Sequence, residues 1–103
     1  MIGEHTVVGR SAEPVFTEVD GKVVMMSVAQ GMYFALEGVG GRIWTLLEQP
    51  RSPNELCAVL TDEFEIDGES CLREVLDFLA ELHAAQLIRI HNGNGPDSTT
   101  ERG

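Results

Sequence analysis

The alternation of apolar and polar positions predicts strands in the first third of the chain. Residues 15–19 (VFTEV), 22–29 (KVVMMSVA) and 32–36 (MYFAL) are short runs rich in β-branched, aromatic and other apolar residues, which are typical of strands. Asp20-Gly21 and Gln30-Gly31 separate them, and Asp-Gly favours a type I′ turn because both of its central residues need positive φ. Connections this short predict an antiparallel meander whose middle strand is residues 22–29.

Beyond the glycine cluster at residues 38–41, the apolar residues recur with a helical period. A first helix is predicted to end at Gln49-Pro50, because proline removes a helix donor. Ser52 is a good N-cap for a second helix, and Glu55 nearly completes a capping box. A third, longer helix begins after Asp67, and its apolar stripe consists of Leu72, Val75, Leu76, Leu79 and Leu82. We therefore predict an α+β fold, a three-stranded antiparallel β-meander followed by a three-helix, winged-helix-like bundle.

The pattern divides the chain into one domain with two flanking segments. Residues 1–14 lack a strong period and are predicted to be a flexible N-terminal arm, with residues 6–8 as its only candidate for contact with the domain. Residues 15–90 form the domain, in which residues 87–90 are either a short returning strand or an extended tail. Residues 91–103 (HNGNGPDSTTERG) are predicted to be a disordered C-terminal tail from their composition.

Composition and charge limit the classes of partner. The 103 residues, 43% of them hydrophobic, suffice for one modest core. A formal net charge of −10 disfavours nucleic acid, because the chain and a phosphate backbone repel each other, whereas a basic peptide is the better complement. No basic flank precedes an apolar run at the N-terminus, and no apolar run approaches the length of a membrane span, so we expect a cytoplasmic protein with no membrane contact.

The sequence offers no convincing catalytic, metal or cofactor site. Cys57 and Cys71 lie in apolar helical patterns and are predicted to be buried reduced thiols, and no base can be assigned to either. His5, His83 and His91 are far apart, and no pair has the spacing of metal ligands. We therefore predict a non-enzymatic protein without metal or cofactor.

The strand at residues 32–36 is the leading candidate for a binding site. It ends abruptly at the glycine cluster, and a strand that leaves its sheet for a helix can keep one edge unpaired. Such an edge accepts another chain as an added strand. The added strand is either a peptide partner or the same edge of a second copy, which would give an edge-strand homodimer.

The third helix is a candidate second wall of that site. Its acidic residues Glu74, Asp77 and Glu81 lie opposite the apolar stripe and form either a solvated face or, at Glu74, the rim of a groove for a basic ligand group. Phe78 lies just off the centre of the stripe, and both a core role and a groove-lining role remain open.

The order and spacing of several short motifs resemble the PqqD-like family, whose fold is shared by leader-recognition elements of ribosomal peptide natural-product pathways. The motifs are Asp20-Gly21, residues 31–36 (GMYFAL), 42–47 (RIWTLL), 53–56 (PNEL), Glu74-Val75, Phe78-Leu79, Leu82 and Leu87-Ile88. Residues 47–50, 55–57 and Cys71 look most like the small discrete subunit of lasso-peptide systems, in which the maturation protease is split and this half carries no catalytic residues.

The resemblance implies a mechanism and a set of site residues. The leader of a precursor peptide would pair antiparallel with the third strand, lie in the cleft beside the third helix, and be presented to a separate cysteine protease subunit. The implied peptide-binding residues are Met32, Tyr33, Phe34, Ala35, Leu36, Cys71, Glu74, Val75 and Phe78. The opposite flank of the helix, with Arg73, Leu76 and Asp77, is the alternative wall. The alternative functions are a winged-helix DNA-binding regulator, which the acidic third helix disfavours, and a PqqD-type carrier of a precursor to a radical enzyme.

Overall fold

A computed structural model describes residues 2–91, which contain five strands and three helices. In chain order these are β1 (Val7–Arg10), β2 (Val15–Val19), β3 (Lys22–Ser27), β4 (Met32–Leu36), α1 (Val39–Leu46), α2 (Pro53–Phe64), α3 (Gly68–Ala84) and β5 (Ile88–His91). The predicted α+β class, with an antiparallel meander followed by three helices, is confirmed.

The meander has the predicted strand order, with β3 between β2 and β4. Phe16, Met25 and Phe34 are aligned across the three strands. Asp20 and Gly21 have φ of 53° and 78°, which both central positions of a type I′ turn require. The β3–β4 connection is four residues long, 28–31, so the central strand ends two residues earlier than predicted.

The N-terminal segment is where the prediction was wrong. Residues 7–10 form β1, which pairs antiparallel with β5 in a second sheet, so they are not a flexible arm. Val8 is fully buried, and it exchanges main-chain hydrogen bonds of 2.8 and 2.9 Å with Arg51. Burial of Val8 therefore fastens the segment to the domain through contacts that lie far away in sequence.

Strand β5 decides between the two alternatives left open for residues 87–90. The segment returns as a strand, and it extends to His91, the first residue of the predicted tail. The remainder of that predicted tail, residues 92–103, lies outside the described residues.

Helix α1 approaches the meander closely because of one glycine. A Cβ atom on Gly41 would lie 3.2 Å from the main-chain oxygen of Gly21 and 3.3 Å from that of Leu36. Any larger residue would push the helix away from the sheet. This contact holds the start of α1 against the end of β4.

The N-caps predicted for α2 and α3 are confirmed. The Ser52 amide donates to the Glu55 carboxylate at 2.9 Å and the Glu55 amide donates to Ser52 Oγ at 3.2 Å, a complete capping box. Asp67 accepts from the Ser70 amide at 2.9 Å. The core between the helices and the inner face of the meander contains Val23, Met25, Ile43, Trp44, Leu47, Leu56, Leu60, Val75, Leu79 and Leu82.

Candidate functional site: an open strand edge beside α3

Strand β4 ends the sheet order, and its outer edge faces no other strand of residues 2–91. Phe34 and Leu36 are half-buried and pack against the core, whereas Tyr33 is 74% exposed, Met32 is 49% exposed and Ala35 is exposed. None of the five side chains is charged, so the strand carries none of the charges that usually protect an edge from pairing. The edge is chemically able to accept an added strand.

A cavity of about 170 Å³ lies between the first turn of α1 and one flank of α3. Four of its lining residues come from α3, and all four were predicted as site residues from the sequence: Cys71, Glu74, Val75 and Phe78. The other lining residues were missed, and they are Val39, Gly40, Ile43 and Ile66. The glycine cluster was the available signal, since small residues at a helix start permit a close neighbour.

The four α3 residues converge because they occupy positions i, i+3, i+4 and i+7 of one helix. Phe78 is half-buried, so it contributes both to the core contacts and to the cavity wall. Its ring lies over the first turn of α1, since a Cβ atom on Gly40 would be 3.2 Å from Phe78 Cζ. Apolar side chains form most of the lining, and the exposed Glu74 supplies its one carboxylate. The cavity suits an apolar side chain with a basic group beside it.

Two contacts fix the direction of α3 relative to β4. Gly40, just after β4 ends, lies against Phe78 in the middle of α3. Gln30, just before β4 begins, donates from its side chain to the main-chain oxygen of Ala85 at the end of α3. The helix therefore runs antiparallel to β4. A strand added antiparallel to β4 would run parallel to α3, from the cavity towards the β3–β4 turn.

Both cysteines are buried and free, as predicted. Burial, together with the neighbouring thiol of Cys71, raises the pKa of Cys57 to about 12. The Cys57 thiol is therefore protonated at neutral pH and is a poor nucleophile.

Within residues 2–91 no three side chains of the metal-binding types converge on a common point. Of the three helices that these residues form, none combines the length and the apolar character needed to cross a bilayer.

The family model of coenzyme PQQ synthesis protein D (PqqD) matches residues 22–88, about two thirds of the chain. The chain therefore belongs to the PqqD family, and the resemblance noted in the sequence is confirmed. None of the curated proteins matches it.

Two solved structures are similar over most of their length. TbiB1, solved in complex with the TbiA(beta) leader peptide, is 32% identical with a TM-score of 0.73, and the match covers 85% of this chain and 99% of that one. A lasso peptide synthetase B1, complexed with the leader peptide, is 19% identical with a TM-score of 0.69, and the match covers 80% of this chain and 96% of that one. The second match shows the fold alone.

Proposed function

We propose that this chain is a non-catalytic peptide-binding subunit that recognises the leader of a ribosomally made precursor, of the lasso-peptide type, and delivers it to a separate leader protease. The leader pairs antiparallel with the outer edge of β4 and lies between β4 and α3. Because such a precursor is made by ribosomes, the proposal places the chain in the cytoplasm.

The observation that carries the proposal is the uncharged edge of β4, which is unpaired within residues 2–91 and ends shortly before the first turn of α1, where that turn and α3 line the cavity. Main-chain groups of residues 32–36 supply hydrogen bonds that tolerate many leader sequences, and the cavity supplies selectivity for one apolar side chain. Glu74 at the cavity adds a preference for a basic group next to that side chain. The leader-bound state of TbiB1, which shares 32% of its sequence with this chain, supports the same use of the fold.

A separate protease is proposed because neither Cys57 nor Cys71 is placed to act as a nucleophile. The buried Cys57 is protonated at neutral pH, and burial also covers Cys71. Presentation of a bound leader is the role that remains for a binding subunit. The DNA-binding alternative is disfavoured by α3, whose exposed residues include Glu74, Asp77 and Glu81 against a single Arg73.

The decisive experiment maps the binding of a synthetic leader peptide, taken from the precursor gene beside this chain's own gene, by NMR titration. We expect the largest shifts at the amides of residues 32–36 and along the Cys71–Phe78 flank of α3. Shifts confined to the opposite flank, at Arg73 and Leu76, or no binding at micromolar concentrations, would contradict the proposal.

A backbone methylation scan of the same peptide tests strand addition itself. Peptide amides that pair with β4 alternate with amides that point to solvent, so N-methylation of every second residue should abolish binding and methylation of the residues between should leave much of it. Equal loss at consecutive positions would indicate another binding mode. Delivery is tested by adding the candidate protease subunit, whose cleavage of the precursor should require this chain.

A further inference from the structure

A second groove begins at the end of the path that the leader would take. It has a volume of about 640 Å³ and lies between residues 11–13, Ala29 in the β3–β4 turn, His83 and Gln86 at the end of α3, and β5. An adjoining groove of about 280 Å³ shares Ala12, Arg89 and Ile90 with it. We call these two adjoining grooves together the β5 channel.

Among the residues that the structure describes, the β5 channel contains one free cationic side chain, Arg89, in a chain that is otherwise strongly acidic. Arg89 and His91 are two residues apart on β5 and project from the same face. Arg10 also lines the far end of the channel, but its guanidinium already donates to the main-chain oxygen of Trp44. Arg89 is exposed and makes no ion pair within residues 2–91. Since the chain carries a formal net charge of −10, a guanidinium at this position without an ion pair in that range is the group in the channel to which a ligand carboxylate can bind.

One carboxylate lines the β5 channel, and its hydrogen bonds are already made. Glu13 accepts from Ser27 Oγ and from the Ala29 amide, both at 2.9 Å. The hydrogen bond from the Ala29 amide is the main cause that lowers the pKa of Glu13, and the carboxylate is therefore ionised. Glu13 lies at the turn end of the channel with Ala29, whereas Arg89 lines both grooves and His91 lies at the far end. An acidic ligand group therefore meets favourable charge only after it has passed the turn.

The direction of the proposed leader leads into this channel. A strand antiparallel to β4 runs with α3, from the cavity to the β3–β4 turn, where Gln30 contacts Ala85. The next residues of the peptide emerge beside Ala29 and Gln86, which line the mouth of the β5 channel.

We propose that the β5 channel binds the part of the precursor that follows the leader strand, and that a carboxylate in this part contacts Arg89. This inference rests on the proposed function, because it uses the direction of the leader on β4. A precursor bound both on β4 and in the β5 channel would have a fixed position on the surface. That position would determine which peptide bond is presented to a protease.

The test uses two synthetic peptides with the same leader segment. The six residues that follow it carry three Asp in one peptide and three Asn in the other, and dissociation constants are measured by fluorescence anisotropy at low salt. We expect the Asp peptide to bind about three- to fivefold more tightly, the range of exposed ion pairs, and the difference to vanish in 1 M NaCl. Without a local cationic site, the chain's negative charge would make the Asp peptide the weaker ligand, so the sign of the difference is diagnostic.

Matched variants locate the effect on the protein. Arg89→Gln should abolish the preference for the Asp peptide, whereas Arg73→Gln, which removes the same charge from an exposed position on α3, should preserve it. Unchanged binding of the Asn peptide by Arg89→Gln will show that this variant is folded. Equal binding of the two peptides, or equal effects of both variants, overturns the inference and leaves the leader site intact. Failure of both peptides to bind overturns the proposed function itself.

Discussion

The guanidinium of Arg10 donates two hydrogen bonds to the main-chain oxygen of Trp44, from Nε at 3.0 Å and from Nη2 at 2.7 Å. It also lies 4.7 Å from the centre of the Phe16 ring and 5.0 Å from that of Trp44. One side chain of β1 thus contacts the last turn of α1 and the first strand of the meander. A cation at the C-terminal end of α1 also interacts favourably with the negative end of the helix dipole.

Replacing Arg10 should therefore destabilise the whole domain. Arg10→Ala loses two charge-assisted hydrogen bonds and both ring contacts, and we expect the free energy of unfolding to fall by about 2 kcal/mol, measured by urea denaturation. Arg10→Lys should recover only part of this, since an ammonium cannot reproduce the planar fork. Arg73→Ala, at an exposed position of α3, is the control and should change stability by less than about 0.5 kcal/mol. Equal losses for the Arg10→Ala and Arg73→Ala variants would refute the tie between β1 and α1.

The long-range contacts of Arg10 also illustrate why the central fold could be predicted from the sequence and β1 could not. The meander and the caps of α2 and α3 depend on neighbours a few residues apart, such as Asp20-Gly21 and the Ser52–Glu55 pair, so their signals are local. Strand β1 is four residues long and pairs with β5, about eighty positions away. Four residues are too few to establish a period, and burial of Val8 depends on a partner that a local pattern does not reveal.

The candidate site was also predicted only in part, and for the same physical reason. Residues 71, 74, 75 and 78 share a helix face, so their common position follows from helical spacing alone. Which elements face that flank depends on tertiary packing, and α1 supplies Val39, Gly40 and Ile43 only because Gly41 lets it approach the meander. The direction of α3 relative to β4, from which the path of the peptide follows, has no counterpart in the sequence pattern.

A methyl group at Gly40 should disturb the cavity more than the fold. In Gly40→Ala the new Cβ meets Phe78 Cζ at 3.2 Å, so the ring must shift by a few tenths of an ångström. We expect leader affinity to fall by about three- to tenfold, equivalent to roughly 1 kcal/mol, while the better helix propensity of alanine offsets part of the lost stability. Isothermal titration and thermal unfolding measure the two effects.

Gly68→Ala is the matched control for this substitution. Gly68, like Gly40, lies near the start of a helix, but no atom lies within 4 Å of a Cβ added at Gly68. It should leave leader affinity unchanged and stability equal or slightly higher. If Gly40→Ala binds leader like the Gly68→Ala control, the cavity beside Phe78 takes no part in recognition.

The Cys57 thiol gives the stability of the domain a dependence on alkaline pH. Its pKa is raised to about 12 in the folded chain, whereas an unfolded cysteine titrates near 8.5. Between these values the unfolded chain releases a proton that the folded chain retains, so the free energy of unfolding should fall as pH rises from about 9 towards 12. The contribution is at most about 1.4 kcal/mol per pH unit for one proton.

Comparison with Cys57→Ala tests this contribution, because the alkaline titrations away from these two neighbouring thiols are common to both proteins. The variant should be less stable at pH 7, where it lacks a buried side chain, but its unfolding free energy should decline less steeply between pH 9 and 11. Urea unfolding at a series of pH values measures both slopes. Parallel slopes would mean that the folded environment does not hold the Cys57 proton.

Glu74 should favour the binding of leaders that carry a basic residue beside the apolar anchor. Its carboxylate lines the cavity at an exposed position, so a basic leader residue beside the apolar anchor gains about 0.2–1 kcal/mol, and Glu74→Gln should weaken binding by up to about fivefold. Asp77→Asn, one turn along but outside the cavity, should have no such effect. Double-mutant cycles combine each of these two variants with alanine at each basic position of the leader. We expect one leader position to have an interaction energy with Glu74, and no position to have one with Asp77. Coupling to Asp77 instead would place the leader on the opposite flank of α3.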